Sequence, residues 1–145
     1  MIRPQVEKRV DEQFRAGFHC AEAVAQAIVE FFGQGPVQAL PGAATAFGGG
    51  LGRSHEDTCG ALNGGVLALG CLMGRREPGA DWGGVAELAA EFRRRFIREM
   101  GSTNCRAILE RLGPQENSAR CRELSVRTAG LLAELLVERG RPGPA

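Results

Sequence analysis

Apolar side chains along this chain recur with the 3.6-residue period of a helix, and no segment alternates with the period of two that a half-buried strand needs. That periodicity restricts the fold to an all-α class. Val6, Val10 and Phe14 open a first amphipathic helix that stops near Gly17. Residues 20–32 form the next, with Cys20, Val24, Ile28 and Phe31 on one face and the turn GQGP ending it. Residues 33–57 are the loosest part, with a short helix expected over AATAF and a glycine-rich run, FGGGLGR, after it. A helix is expected from about Thr58 to Met73. Beyond REPGADWGG, the stripe Val85, Leu88, Phe92, Phe96, Met100 marks another, and CRAILERLG and CRELSVRTAGLLAELLVERG supply a short and a long one. The expectation is a compact bundle of about six helices with one long glycine-rich loop.

At 145 residues the chain fits one domain, able to bury about two thirds of its unfolded surface without disulfide staples. The helical domain is expected over 1–138, with 139–145 a disordered tail. Charged residues at 24% and apolar residues at 43% are those of a soluble globular protein, and a net charge of +1 gives no reason to propose nucleic acid or an anionic membrane as partner. The arginines at 93–95 have Glu87 and Glu91 among them and read as a solvated face. The start, MIRPQVEKRVDEQ, has no apolar core of a secretory signal, and no apolar run approaches the roughly 20 residues of a membrane span, so a cytoplasmic protein without membrane insertion is expected. In a reducing cytosol, cysteines serve as metal ligands, catalytic thiols or small core residues more often than as permanent disulfides.

The five cysteines are Cys20, Cys59, Cys71, Cys105 and Cys121, and no two form a CxxC pair. Any shared site must therefore be assembled by the fold. Four of them fall at expected helix starts: Asp57 and Thr58 are cap candidates before Cys59, Ser102 and Thr103 before Cys105, Ser118 before Cys121, and Cys20 begins its helix behind a poor cap, His19. Free N–H groups and the positive end of the helix dipole favour thiolate over thiol there. Cys121 also shares a stripe with Leu124, Thr128, Leu131 and Leu135, and Cys20 one with Val24 and Ile28. Inward stripes are what core cysteines have, and equally what would bring four sulfurs together inside a bundle. Cys71 lies about 18 Å along the helix from Cys59 and about 120° around it, which excludes a shared small site; it is expected to fill core.

Within CGALNGG, Cys59, Gly60, Ala61 and Gly64 match a Cys-Gly-Ala-x-x-Gly motif, with Cys20 before it and Cys105 and Cys121 after it. In this the chain resembles the C_GCAxxG_C_C family of redox-active proteins, from about residue 5 to 138, and FGGGLGR and GSTNCR look like the family as well. The resemblance implies a helical domain with a four-cysteine redox-active centre. The family also looks similar to the amino-terminal part of split-Soret cytochromes, where an iron–sulfur centre is implied. No CxxCH sequence is present, so haem is not expected, and His19 stands where an Asn would be expected before the first cysteine.

Four thiolates at Cys20, Cys59, Cys105 and Cys121 suit an iron–sulfur cluster or a closed zinc site, for electron transfer or sensing with a redox partner protein whose identity the sequence does not give. Metal-free thiol–disulfide chemistry is the first alternative, with three complete pairings open, and a helical interaction module with structural cysteines is the second. The sequence thus leaves open an oxidoreductase, an electron-transfer component or no enzyme at all, and also a homo-oligomer. His19 and His55 are candidate proton donors or substitute ligands; Glu56 and Asp57 would complement the positive end of the following helix. Gly60 and Gly64, one turn apart, would let another backbone approach the Cys59 side of the helix. No strand precedes the glycines of residues 48–53, which argues against a nucleotide and for a tight backbone crossing beside the cysteines, with Arg53 offsetting negative charge. Paired carboxylates, a nucleophile elbow and HExxH are all missing, so hydrolysis has no support.

Overall fold

The structure, a computed structural model, describes residues 1–33 and 40–141. Its elements are α1 (Arg3–Arg15), α2 (Cys20–Phe32), α3 (Leu40–Ala44), a 3-10 turn (Thr45–Phe47), α4 (Gly60–Met73), α5 (Gly83–Met100), α6 (Cys105–Leu112) and α7 (Ala119–Glu138). The fold is all-α, with no strand among the described residues and a single isolated bridge, Thr58 to Asn104. The short helix expected over AATAF is there but shifted: α3 starts ahead of it at Leu40, and Thr45–Phe47 tighten into the 3-10 turn. Most of GQGP and residues 142–145 of the expected tail lie outside the described residues. Residues 139–141 close α7, Arg139 pairing with Glu87 at 3.1 Å and Arg141 N–H reaching Leu136 O at 2.9 Å. No helix of the described residues is long and apolar enough to cross a membrane.

The core forms where the inward stripes meet. Val6 and Val10 of α1, Val24 and Ile28 of α2, Leu69 of α4, Phe92 and Phe96 of α5, and Leu132, Leu135 and Leu136 of α7 are all fully buried. Phe32 closes the α2 stripe, with Phe31 half-buried against the same core. Arg94 and Arg95 pair with Glu91, and Arg95 also with Glu138, so the basic run is a solvated, ion-paired face. Cys71 does not fill core: it is exposed. It follows Leu69, which α4 turns inward, by two residues and hence by about 200° of rotation.

The most extensive helix pair is α2 on α4, and glycine makes it possible. A Cβ on Gly64 would stand 2.4 Å from Ala21 O and 3.0 Å from Ala21 Cα, and one on Gly60 would stand 2.4 Å from the Cys20 sulfur. A Cβ on Gly65 would meet the Phe92 ring at the same distance of 2.4 Å. Gly60, Gly64 and Gly65 thus stand where a sulfur, a backbone or a ring comes too close for a side chain, at a cost of about 1 kcal/mol each in helix propensity. Gly64→Leu is expected to lower stability by about 2–3 kcal/mol, read from urea unfolding, because the backbone of α2 must move. Gly70 has open space around its Cα, so Gly70→Ala is expected to raise stability by about 0.5–1 kcal/mol.

Candidate functional site

Cys20, Cys59, Cys105 and Cys121 line one cavity of ≈ 260 Å³, together with His19, His55, Gly49, Gly60, Gln115 and Ser125. Each cysteine arrives at the start of a helix, though not always as the caps predict. Cys20 and Cys105 are the first residues of α2 and α6, and Cys121 is the third of α7. Cys59 is itself the cap of α4, one residue outside the helix, because Asp57 and Thr58 are taken up elsewhere. Cys59 N–H donates to Thr103 O at 2.7 Å and Cys105 N–H to Asp57 O at 2.8 Å, which locks residues 57–59 against 103–105. Asn104, rather than Ser102 or Thr103, caps α6, its Oδ1 accepting Ala107 N–H at 3.0 Å. Its Nδ2 donates to Glu56 O at 2.7 Å, and the Glu56 carboxylate pairs with Arg106, so Glu56 serves α6 rather than the start of α4.

His19 caps α2 through its backbone, its N–H reaching Glu22 Oε1 at 3.1 Å. The ring Nε2 lies 2.8 Å from Thr45 O and 3.1 Å from Glu22 Oε1. Both partners accept only, so Nε2 carries the proton, and the buried Nδ1 is left without a partner. His55 stands on the cavity rim in a left-handed conformation, φ 58°.

The glycine run is a left-handed turn. Gly49, Gly50, Leu51, Gly52 and Arg53 all have φ between 59° and 72°, and the turn closes through His55 N–H to Gly49 O at 2.9 Å. For Leu51 and Arg53 this conformation costs roughly 1–2 kcal/mol each, strain of the kind that gathers at functional sites. A Cβ on Gly50 would lie 2.5 Å from Cys105 Cβ, and one on Gly48 would lie 2.6 Å from the His19 ring. The tight crossing expected beside the cysteines is there. Arg53 is not at the cavity, however: it is exposed and outside the lining, since the left-handed turn presents it to solvent. Gly64 also lies outside the lining, one turn beyond Gly60, where it meets Ala21.

Gln115 is the site residue that no cap signature reveals, because it stands six positions before Cys121. Ser118 occupies the cap of α7 but is left-handed, φ 56°, and its side chain caps nothing. Gln115 Oε1 instead accepts Arg120 N–H at 3.0 Å and Cys121 N–H at 2.9 Å, while its Nε2 donates to the Cys121 sulfur at 3.1 Å.

The helix starts do not make thiolates of Cys20, Cys59 and Cys105. Burial pushes the Cys20 thiol up, against the backbone N–H groups of Gly49 and Ala21 that pull it down. Burial, then the neighbouring Cys20, push Cys59 up to about 12, against the N–H groups of Ala61 and Leu62. Cys105 is raised by burial and by Cys20 and Cys121. Desolvation of the charged form outweighs the helix dipole inside this apolar cavity. All five cysteines are free thiols, and no three cysteine, histidine or acidic side chains among the described residues stand close enough to hold a single metal ion.

The thiol shift fixes a pH dependence. A group whose value rises from 9.0 to about 12 on folding contributes stability that is whole below 9 and lost as pH rises toward 12. The urea midpoint of the metal-free protein is expected to fall between pH 8 and pH 10.5, and the fall to be smaller in Cys59→Ala. Iodoacetamide at pH 8 is expected to label the exposed Cys71 first and Cys59 last, as read by peptide mass mapping.

No curated protein and no solved structure matches the chain. Residues 18–135 match the family described as "Putative redox-active protein (C_GCAxxG_C_C)". That span starts just before Cys20 and contains the four cavity cysteines, the motif beginning at Cys59 and the left-handed turn. The chain belongs to the C_GCAxxG_C_C family of redox-active proteins.

Proposed function

We propose that Cys20, Cys59, Cys105 and Cys121 together hold an iron–sulfur cluster and that the protein transfers or senses electrons through it. The observation that carries the reading is the convergence of these four cysteines, from four helix starts, on one cavity. A single zinc ion would gather its sulfurs at about 2.3 Å from the metal, and no three donors are gathered closely enough for one ion. Donors spread around a void of ≈ 260 Å³ suit a polynuclear group, which four cysteines commonly bind from its periphery. The void exceeds the roughly 150 Å³ that accommodates benzene in an engineered cavity. When bound, such a cluster supplies one-electron oxidation and reduction.

The chain's own groups serve this role in distinct ways. The raised thiols of Cys20, Cys59 and Cys105 keep their protons in the empty cavity and lose them when a cation compensates the thiolates. Backbone N–H groups of Gly49, Ala21, Ala61 and Leu62 already face the sulfurs of Cys20 and Cys59 and favour the charged form once it exists. The same raised values disfavour Cys20, Cys59 and Cys105 as attacking groups in metal-free disulfide exchange, which needs a thiolate near neutral pH. A reducing cytoplasm, where cysteines stay available as ligands, suits this reading.

Anaerobic purification, or reconstitution with iron and sulfide, is expected to give bound iron, acid-labile sulfide and an oxygen-sensitive visible absorption. Serine at any of the four positions is expected to lower bound iron at least severalfold, while Cys71→Ser retains it. Protein that stays free of metal and colourless after reconstitution overturns the reading.

A further inference from the structure

The three hydrogen bonds of Gln115 have a consequence beyond capping. Backbone N–H groups can only donate, so the two from Arg120 and Cys121 fix which end of the amide is oxygen, and the NH₂ end must face the Cys121 sulfur. At Cys20 and Cys59 the N–H groups that face sulfur belong to the backbone. At Cys121 the donor is a side chain, held by a segment in which Gly113, Asn117 and Ser118 all have positive φ. Left-handed backbone at two successive non-glycine residues is costly, and here it folds the segment back so that Gln115 reaches over the first turn of α7. The hydroxyl of Ser125, which also lines the cavity, is spent on Cys121 O at 2.8 Å and does not compete for the sulfur.

We propose that Gln115 is a positioning residue of the cysteine centre: its amide fixes the Cys121 sulfur in the cavity and stabilises negative charge on it. This rests on the reading of Cys121 as one of four site cysteines. A hydrogen bond to a charged acceptor is stronger than one to a neutral acceptor, so the contact strengthens whenever that sulfur becomes more negative, whether as a free thiolate or as a ligand to a reduced centre. Hydrogen bonds to ligand sulfurs are among the factors that set cluster potentials.

The deciding variant is Gln115→Glu, which keeps an oxygen for the two backbone N–H groups and replaces the NH₂ donor by a second acceptor. In metal-free protein, iodoacetamide is expected to alkylate Cys121 about fivefold or more slowly in this variant, with Cys20 in the same sample as internal reference and the melting temperature retained. Asn117→Asp places the same added charge two residues away with the amide intact, and is expected to leave the Cys121 rate within about twofold. Gln115→Met removes both amide atoms and is expected to slow Cys121 while lowering the melting temperature through loss of the cap. In reconstituted protein, Gln115→Glu is expected to lower the midpoint potential relative to both wild type and Asn117→Asp. An unchanged Cys121 rate in both Gln115 variants, or equal slowing in Asn117→Asp, overturns the proposal. If the wild type takes up no cluster, the functional reading fails while the alkylation comparison still decides the role of Gln115.

Discussion

The crossing of α2 over α4 sets the distance at which everything else in this protein is arranged. Gly60 and Gly64 bring α4 against the Cys20 sulfur and the Ala21 backbone, so Cys20 and Cys59 open on the same void. A pair of helices held apart by ordinary side chains, at interaxial distances of 8–10 Å, would separate those two sulfurs and leave the left-handed turn nothing to pack on. Gly60 and Gly64 thus serve the site as much as the helix pair, and the low helix propensity of GALNGG is offset by the contact it permits.

Around that crossing, two opposed electrostatic influences meet at Cys20, Cys59 and Cys105. Helix starts and facing N–H groups favour charge, whereas burial opposes it, and for Cys20, Cys59 and Cys105 burial dominates. The balance differs from that of a catalytic cysteine in an open, electropositive cleft, where the dipole acts without a desolvation penalty. Here the donors are in place but ineffective until something neutralises the charge. On the proposed reading, a site of this kind favours a cationic occupant over a solitary anion.

Much of this was legible in the sequence because it is periodic or local. The 3.6 period located α1, α2, α5, α6 and α7, since a stripe such as Leu88, Phe92, Phe96, Met100 is written directly in the order of residues. The choice of Cys20, Cys59, Cys105 and Cys121 over Cys71 followed from helix starts, and these four line the cavity. What escaped is tertiary. Solvation reversed the effect expected of the helix dipoles, and no local spacing encodes how dry a cavity will be. Cys71 faces solvent because of a rotation set by Leu69, and Arg53 is turned outward by five consecutive left-handed residues that glycine content alone does not specify. Gln115 acts across six residues and a strained turn, beyond the reach of any capping pattern.

The exchange between residues 57–59 and 103–105 has a mechanical meaning. Cys59 and Cys105 donate their own backbone N–H groups to carbonyls of each other's segment, so these two cysteines form a clasp with a fixed span. Neither can shift without exposing two buried hydrogen-bonding groups at once. Cys20 and Cys121 have no such reciprocal tie and sit on the long helices α2 and α7, which also pack on each other. Cys20 is held instead by the α2–α4 crossing at Gly60 and Cys121 by the Gln115 amide, so one side of the cavity is fixed by backbone exchange and the other by helix packing and a side-chain bond.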